Sequence, residues 1–517
     1  MTNPRRTGIL PVHAWTRCPY YFEQLSLVVI ICLGVLLPVA LLPSRPFHHD
    51  EAVYAYWALL ISSGTDVGLD TVPLDKPPFF IYTVALFFYT FGTSSTIARL
   101  PSLLATGITI GLTFKLAKIL YDASTGLIAS LIVAISPFSI LFAPTALTDP
   151  MMVMFVLLAS VMASQKLPIL SGLALGLAIA TKQQGLFFLP LVLALFFIPT
   201  RINGQTREVF KNLSCLDYKS LSFWTLLLRF LSVLAISVLI PIIWDLTRSY
   251  QSSFLGQSSA SYGGIQFDPI SFVPRLAGFG HLLELMTASS LLNLIFIIGL
   301  PILLMRGILF DWLLTGFSMG FLTLHSLFTF QIWDRYLLGM LPILGLLFAR
   351  ILLLACRATD KKGFRKPFLS KFIFVVIIFI FIISQMIIPI RTALHGGYQI
   401  GGDLGAYYGT EEIAAYLRGN VRANVTLYHY WLGNHWRFFL FDFPYDLRHW
   451  ETVADLVEKA DTNRHGEQYI AFPSWQSTTN VELALSNVNL ILRPIMGTTR
   501  PDGTPAIYIY RIIRHDK

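Results

Sequence analysis

Three observations predict a polytopic α-helical membrane protein with a small soluble α/β domain at its C-terminal end. Of 517 residues, 55% are hydrophobic and 13% charged, about half the charged share of a soluble domain. Apolar runs long enough to cross a bilayer, or nearly so, recur near 25–43, 78–93, 97–116, 124–143, 149–165, 168–181, 185–199, 221–246, 286–305, 311–330, 336–354 and 371–390. From about Arg391 the charges, Asn and Gly return and the apolar residues fall into short segments. The expected division is therefore a membrane domain over 1–390 and a soluble domain over 391–517.

The net charge of +9 sits in loops between apolar runs, as the positive-inside rule requires, so nucleic acid is not an expected partner. The N-terminal tail carries Arg5, Arg6 and Arg17. The other basic clusters are Lys115 with Lys118, Arg201 through Lys219, Arg306, and Arg357 through Lys366. Even numbers of runs separate these four, so they share one side, and the tail joins them only if one earlier run does not cross. The short, proline-started, aromatic run 78–93 suits an interfacial position. About 11–13 transmembrane helices result, depending on how the short runs are counted. The N-terminus is then cytoplasmic, while the loop 44–96, the turn at Asp149, the loop 247–285 and the C-terminal domain are extracytoplasmic, as in a bacterial inner (plasma) membrane. The runs 168–181 and 185–199 are short for full crossings and are expected to tilt or break at Lys182. Cys18, Cys32, Cys215 and Cys356 are too widely spaced for a disulfide framework or a zinc site. The first run lacks a small-residue cleavage site and reads as a retained helix.

In the C-terminal segment the pattern predicts helices at Thr410–Arg418 and Asp446–Lys459. Strands are expected at Val425–Trp431, 468–473 and 506–513.

The stretch Pro46–Pro78 follows the first run and holds Asp50, Glu51, Asp66, Asp70 and Asp75 among the chain's 29 acidic residues. A loop this polar lies at a membrane surface or lines a cavity. Ala52, Tyr56, Leu59 and Leu60 fit a helix beginning at Asp50, with Asp50 as N-cap. A catalytic carboxylate needs an exposed mouth, a low-dielectric wall and a charge partner, and Asp50-Glu51 has the setting for all three. His48 and His49 beside them read as incidental. Lys76 in Asp-Lys-Pro-Pro meets an aromatic helix at a fixed angle, which suits a lipid phosphate. Asp149 opens the run after Leu147-Thr148 and also fits as an N-cap before Pro150. Arg335, in Asp334-Arg335-Tyr336, either pairs with Asp334 or clamps an anion. Lys182 is a lone cation in an apolar hairpin, a functional hypothesis by default. Tyr250, Tyr262, His281 and Glu284 in the loop 247–285 are candidates for a substrate wall.

Taken as a set, HDEAVYAYWA, DKPPFFIY, ARLPSLLA, APTALTDPMM, LALGLAIATK and DRYLLGMLP resemble, in order and spacing, the bacterial branch of the dolichyl-phosphate-mannose–protein mannosyltransferase family. That branch includes the aminoarabinose transferases, and the resemblance covers roughly residues 20–355. It implies a GT-C fold and transfer of a sugar from a polyprenyl-phosphate donor on the outer face of the membrane. By the same resemblance Asp50 is the first-loop catalytic aspartate, Glu51 its neighbour and Asp149 the second-loop acid. Lys76 is the phosphate-side lysine and Arg335 the arginine preceding the tyrosine, and both are assigned as hypotheses to the donor phosphate. Lys182 joins them less directly, because Gln183 stands where the family has glycine. The acceptor, whether protein, lipid or glycan, does not follow from the resemblance.

The chemistry agrees. A phosphate leaving group needs cations rather than a general acid, and the acceptor hydroxyl needs a carboxylate base. One carboxylate with cations implies direct displacement with inversion. A divalent metal cation between Asp50, Glu51 and Asp149 is a further candidate. The rival readings are a transporter or flippase of a polyprenyl-linked sugar, whose usual inverted halves are not visible, and a non-catalytic assembly subunit.

Overall fold

The computed structural model describes residues 13–42, 45–198, 221–261, 264–360, 405–421, 425–463 and 466–515, with isolated positions between 376 and 395. The helices are α1 (His13–Val39), α2 (His49–Ser62), α3 (Phe79–Phe91), α4 (Ser95–Leu120), α5 (Ala123–Ile135), α6 (Pro137–Phe142), α7 (Asp149–Ser164), α8 (Pro168–Thr181) and α9 (Leu189–Phe197), followed by α10 (Leu221–Thr247), α11 (Phe254–Ser261), α12 (Phe272–Glu284), α13 (Ser290–Arg306), α14 (Leu309–Leu327) and α15 (Leu341–Asp360). Tyr21–Val39, Ser95–Leu120, Phe223–Thr247 and Asp334–Cys356 are long and apolar enough to cross a membrane, and shorter apolar helices lie between them. The chain is a multi-pass membrane protein. The run 371–390 lies outside the described residues except for isolated positions.

The helix expected over 78–93 is α3. Its 13 residues span roughly 20 Å at 1.5 Å per residue, short of the roughly 30 Å hydrocarbon core. It packs on α2 and α4 and leaves Leu86, Tyr89 and Phe91 exposed. The helix also breaks where expected. α8 ends at Thr181 with Lys182 as its extended C-cap, and a 3₁₀ turn over Gln183–Phe188 leads into α9. Gly185 allows this fold-back, since a Cβ there would stand 2.9 Å from the Ala178 backbone.

α2 forms as predicted, but Asp50 is not its N-cap. His48 is: its Nδ1 accepts from the Asp50 amide at 3.1 Å, and Glu51 accepts from the His48 amide at 2.9 Å, closing a capping box. Asp50 is thereby left free to point elsewhere from the first turn.

The C-terminal domain comprises α16 (Thr410–Asn420), β1 (Val425–His429), α17 (Gly433–Phe439), β2 (Tyr445–His449), α18 (Val453–Thr462), β3 (Gln468–Pro473), α19 (Thr479–Ser486), β4 (Leu490–Thr499) and β5 (Pro505–Arg514). The sheet order is β2-β1-β3-β5-β4. β1 runs parallel to both β2 and β3, and β5 antiparallel to β3 and β4. The helix expected over Asp446–Lys459 is half wrong. Tyr445–His449 pairs with β1 as a strand, and the helix starts only after Thr452, whose side chain caps the Asp455 amide. Side chains from β1, β3 and β5 build one apolar cluster with Ile413, Leu417 and Trp436, and another with Leu456 and Leu485. Covered on both faces, β1 and β3 are buried throughout.

α17 fastens this domain to the first loop. Phe47 packs on Phe438 at 5.1 Å and on Phe439 at 5.7 Å, and Tyr56 lies 6.5 Å from Phe441. The buried His435 ring donates from Nε2 to the Phe47 carbonyl at 2.6 Å and stacks on Tyr407 at 4.9 Å. Burial, with the nearby His49, pushes His435 down to about 3, so it is neutral at pH 7. His435→Ala should remove a buried hydrogen bond and open a cavity. A loss of about 1–3 kcal/mol should appear as a lower Tm.

Candidate active site

The first loop, the segment before α15 and the C-terminal domain enclose a cavity of about 880 Å³. Asp50 and Arg335 face each other in its wall, and the Arg335 Nη1 donates to the Asp50 carboxylate. Arg335 comes from a 3₁₀ turn over Asp334–Met340, and its backbone amide donates to Asp334 Oδ1 at 2.7 Å. The two alternatives left open for Arg335 are therefore decided in part: its guanidinium pairs with Asp50, and Asp334 orients the turn. The guanidinium lies 5.3 Å from the Trp333 ring, and its buried Nε has no hydrogen-bond partner among the described residues, leaving a donor for a second anion. Burial raises the Asp50 carboxyl, but the charge of Arg335, with His48 and His49, outweighs it and holds Asp50 below the usual carboxylate range.

Lys76, Lys182 and Asp149 are all buried, with Lys182 and Asp149 near Arg335 and Lys76 near Lys182. Lys182 donates to Asp149 and sits 4.7 Å from the Tyr336 ring centroid. Lys76 pairs with Asp75 at 2.6 Å. Lys76 and Arg335 both come within electrostatic range of Lys182. Gln183 binds the two loops together, donating to the Asp75 carbonyl at 3.0 Å. Five of the six candidate residues thus gather at one place, although only Asp50 and Arg335 line the cavity. Asp149 is the first residue of α7, with Thr148 in the N-cap position.

Glu51 is turned away from the cavity. Its oxygens accept from Arg99 Nε at 2.8 Å, Arg99 Nη2 at 3.1 Å, the Ala146 amide at 2.7 Å and the His48 amide. Arg99 in turn donates to the carbonyls of Pro46 and Arg45. The pair fixes the start of the first loop against α4 and the turn before α7. Glu51→Gln should leave Arg99 buried without its counter-charge, costing about 3–5 kcal/mol. The expected readout is a lower Tm and yield, with near-normal turnover per folded molecule. Asp50, Glu51 and Asp149, the suggested metal set, are instead paired with three different basic side chains and do not converge. Among the described residues no group of three or more His, Cys, Asp or Glu is placed to hold a metal ion.

Arg99 is the residue that sequence reasoning passed over. An arginine at the head of an apolar run was the available signal. His48 and His49, read as incidental, both line the cavity. Of the residues expected in a substrate wall from the loop 247–285, the described ones do not line this cavity. His281 and Glu284 lie exposed and 3.5 Å apart, and Tyr250 lies against Arg248; Tyr262 falls outside the described residues. The far wall comes from Tyr407, Asn434 and Arg437 of the C-terminal domain.

Residues 75–215 match the dolichyl-phosphate-mannose-protein mannosyltransferase family. Among solved structures, the fold is similar to ArnT from Cupriavidus metallidurans bound to undecaprenyl phosphate. The TM-score is 0.59 at 13% identity, over 94% of this chain and 97% of that one. It is also similar to the archaeal oligosaccharyltransferase AglB from Archaeoglobus fulgidus, in complex with an inhibitory peptide and a dolichol-phosphate. There the TM-score is 0.52 at 12% identity, over 92% and 69% of the two chains. No curated protein sequence matches. The chain therefore shares the fold of these two membrane-protein structures.

Proposed function

We propose that the chain moves a sugar from a polyprenyl-phosphate donor to an acceptor hydroxyl on the extracytoplasmic face of the membrane, with inversion. The observation that supports this most is the Asp50–Arg335 pair in the cavity wall, with Lys182 near Arg335 and Lys76 near Lys182. The undecaprenyl phosphate held by the ArnT structure and the dolichol-phosphate held by AglB are lipids of the donor's class.

In the resting state Arg335 neutralises Asp50 and makes it a weak base. A donor phosphate competes for the guanidinium, entering through the unpartnered Nε. With Arg335 turned to phosphate, burial raises Asp50 toward ordinary or higher values. Asp50 then accepts the acceptor hydroxyl proton as the oxygen attacks the anomeric carbon from the face opposite the phosphate. The sugar–phosphate bond breaks, and the electron pair leaves with the polyprenyl phosphate. Negative charge grows on that group, and Arg335, Lys76 and Lys182 stabilise it more in the transition state than in the ground state.

In proteoliposomes with a radiolabelled undecaprenyl-phosphate sugar, acceptor-dependent release of undecaprenyl phosphate is expected. Movement of intact donor between leaflets without bond cleavage would instead establish the flippase reading. The orientation is tested separately. Single cysteines at the exposed positions Thr93 and Asn480 should react with an impermeant thiol reagent in intact cells. One at Lys115 should react only after permeabilisation. Labelling of Lys115 in intact cells would put the proposed site on the cytoplasmic face.

A further inference from the structure

We infer that the edge of the C-terminal sheet beside the cavity is the platform for the acceptor, and that the acceptor presents a carbohydrate. The inference rests on the transferase reading and names the substrate class of the same site.

The sheet brings this edge about by topology. From β1 the chain goes to β2 on one side through α17 and returns through α18 to β3 on the other. β1 is thus a switch point among parallel strands, and open α/β sheets bind ligands just outside the carboxyl ends of the strands at such a point. Those three ends are His429, His449 and Pro473. Directly beyond them come Tyr430-Trp431, Trp450 and Ser474-Trp475. Their rings form a chain, with Trp475 to Trp431 at 5.6 Å, Trp431 to Tyr430 at 4.9 Å and Tyr430 to His449 at 5.8 Å. Tyr430, Trp431 and Trp475 are 40%, 41% and 51% exposed, an unusual concentration of large aromatic rings on a soluble surface.

The polar atoms among these rings favour a sugar over a lipid chain. His429 and Trp450 are only 6% and 5% exposed. Yet among the described residues the Trp450 indole Nε1 has no hydrogen-bond partner, and the His429 ring meets only the Tyr430 backbone. Buried polar atoms left unsatisfied call for an outside partner. A pyranose has an apolar face of C–H groups, electropositive against the negative face of an indole, and a rim of hydroxyls for the indole nitrogen. An acyl chain offers nothing to it.

The platform also continues into the cavity. Three residues after Trp431, Asn434 enters the lining, followed by Arg437 on the same helix. A glycan lying on the rings therefore has a path to place one hydroxyl at Asp50.

The test uses the full-length chain in lipid nanodiscs free of sugar-headed detergent, which would occupy the rings. Chitotetraose and mannotetraose are the probes, read by saturation-transfer NMR and by titration of tryptophan fluorescence. At least one should bind. Trp475→Ala and Trp431→Ala should each weaken it about tenfold, and Trp475→Phe should restore most of the affinity. Undecaprenyl phosphate should bind all three variants like the parent, because neither tryptophan lines the cavity. Binding of neither saccharide, or binding indifferent to Trp431 and Trp475, overturns the inference. So does a serine- and threonine-rich peptide that binds where the saccharides do not and is lost in the same variants. Saccharide binding without any affinity for undecaprenyl phosphate supports the platform and overturns the transferase reading instead.

Discussion

Asp50→Asn should cut the single-turnover transfer rate by about 10²- to 10⁴-fold, the range of a lost general base, while donor affinity holds or rises. The amide keeps the size of the side chain, and the cap of α2 does not depend on it, because His48 and Glu51 make the capping box. What is lost is the proton acceptor and the negative charge that occupies Arg335. A guanidinium released from Asp50 is more available to phosphate, so the donor Kd should not rise. This separates a base from a donor ligand, whose removal would weaken binding. Near-normal transfer in Asp50→Asn would move the base elsewhere, with Asp149 next in line. That residue would first have to part from Lys182.

Arg335→Ala is expected to be equally severe, about 10²- to 10³-fold in rate, together with weaker donor binding. Arg335→Lys keeps the charge but gives up the two-pronged geometry, so its defect should be partial. Lys76→Ala should resemble Arg335→Ala in direction. If both contact one phosphate, the double variant should fall well short of the product of the single effects. The pH profile supplies an independent readout. Arg335 is what keeps Asp50 below the carboxylate range against the effect of burial. Without it the Asp50 pKa rises in the free enzyme, so the acid limb of the residual kcat/KM should move to higher pH. Asp50 would then be protonated, and inactive as a base, at pH values where the parent still works. An unmoved limb together with intact donor binding would take Arg335 out of the site. An intact rate in Lys76→Ala would remove only the lysine from the phosphate clamp.

The sequence by itself determined the class of this protein and most of the residues worth testing. Hydropathy points to a multi-pass membrane protein because apolar runs of this length and number, with so few charges, suit a bilayer better than water. The short helix α3 and the break at Lys182 were legible because helix length and membrane thickness are both known lengths. Asp50, Lys76, Asp149, Lys182 and Arg335 stood out because charged groups among apolar runs need a reason. Which charge meets which was not legible. Pairing Arg335 with Asp50 across 285 residues, and Glu51 with Arg99 across 48, depends on helix packing that periodicity cannot specify. The adjacent acids Asp50 and Glu51 look alike in sequence. The capping geometry of His48 turns one into the cavity and the other into a buried clamp. Only the tertiary structure brought Tyr407, Asn434 and Arg437 over the site, because a parallel sheet with crossovers joins segments that local pattern treats as separate. For the same reason Tyr430, Trp431 and Trp475 read as scattered aromatics in the chain. They become one surface only where three parallel strands end side by side.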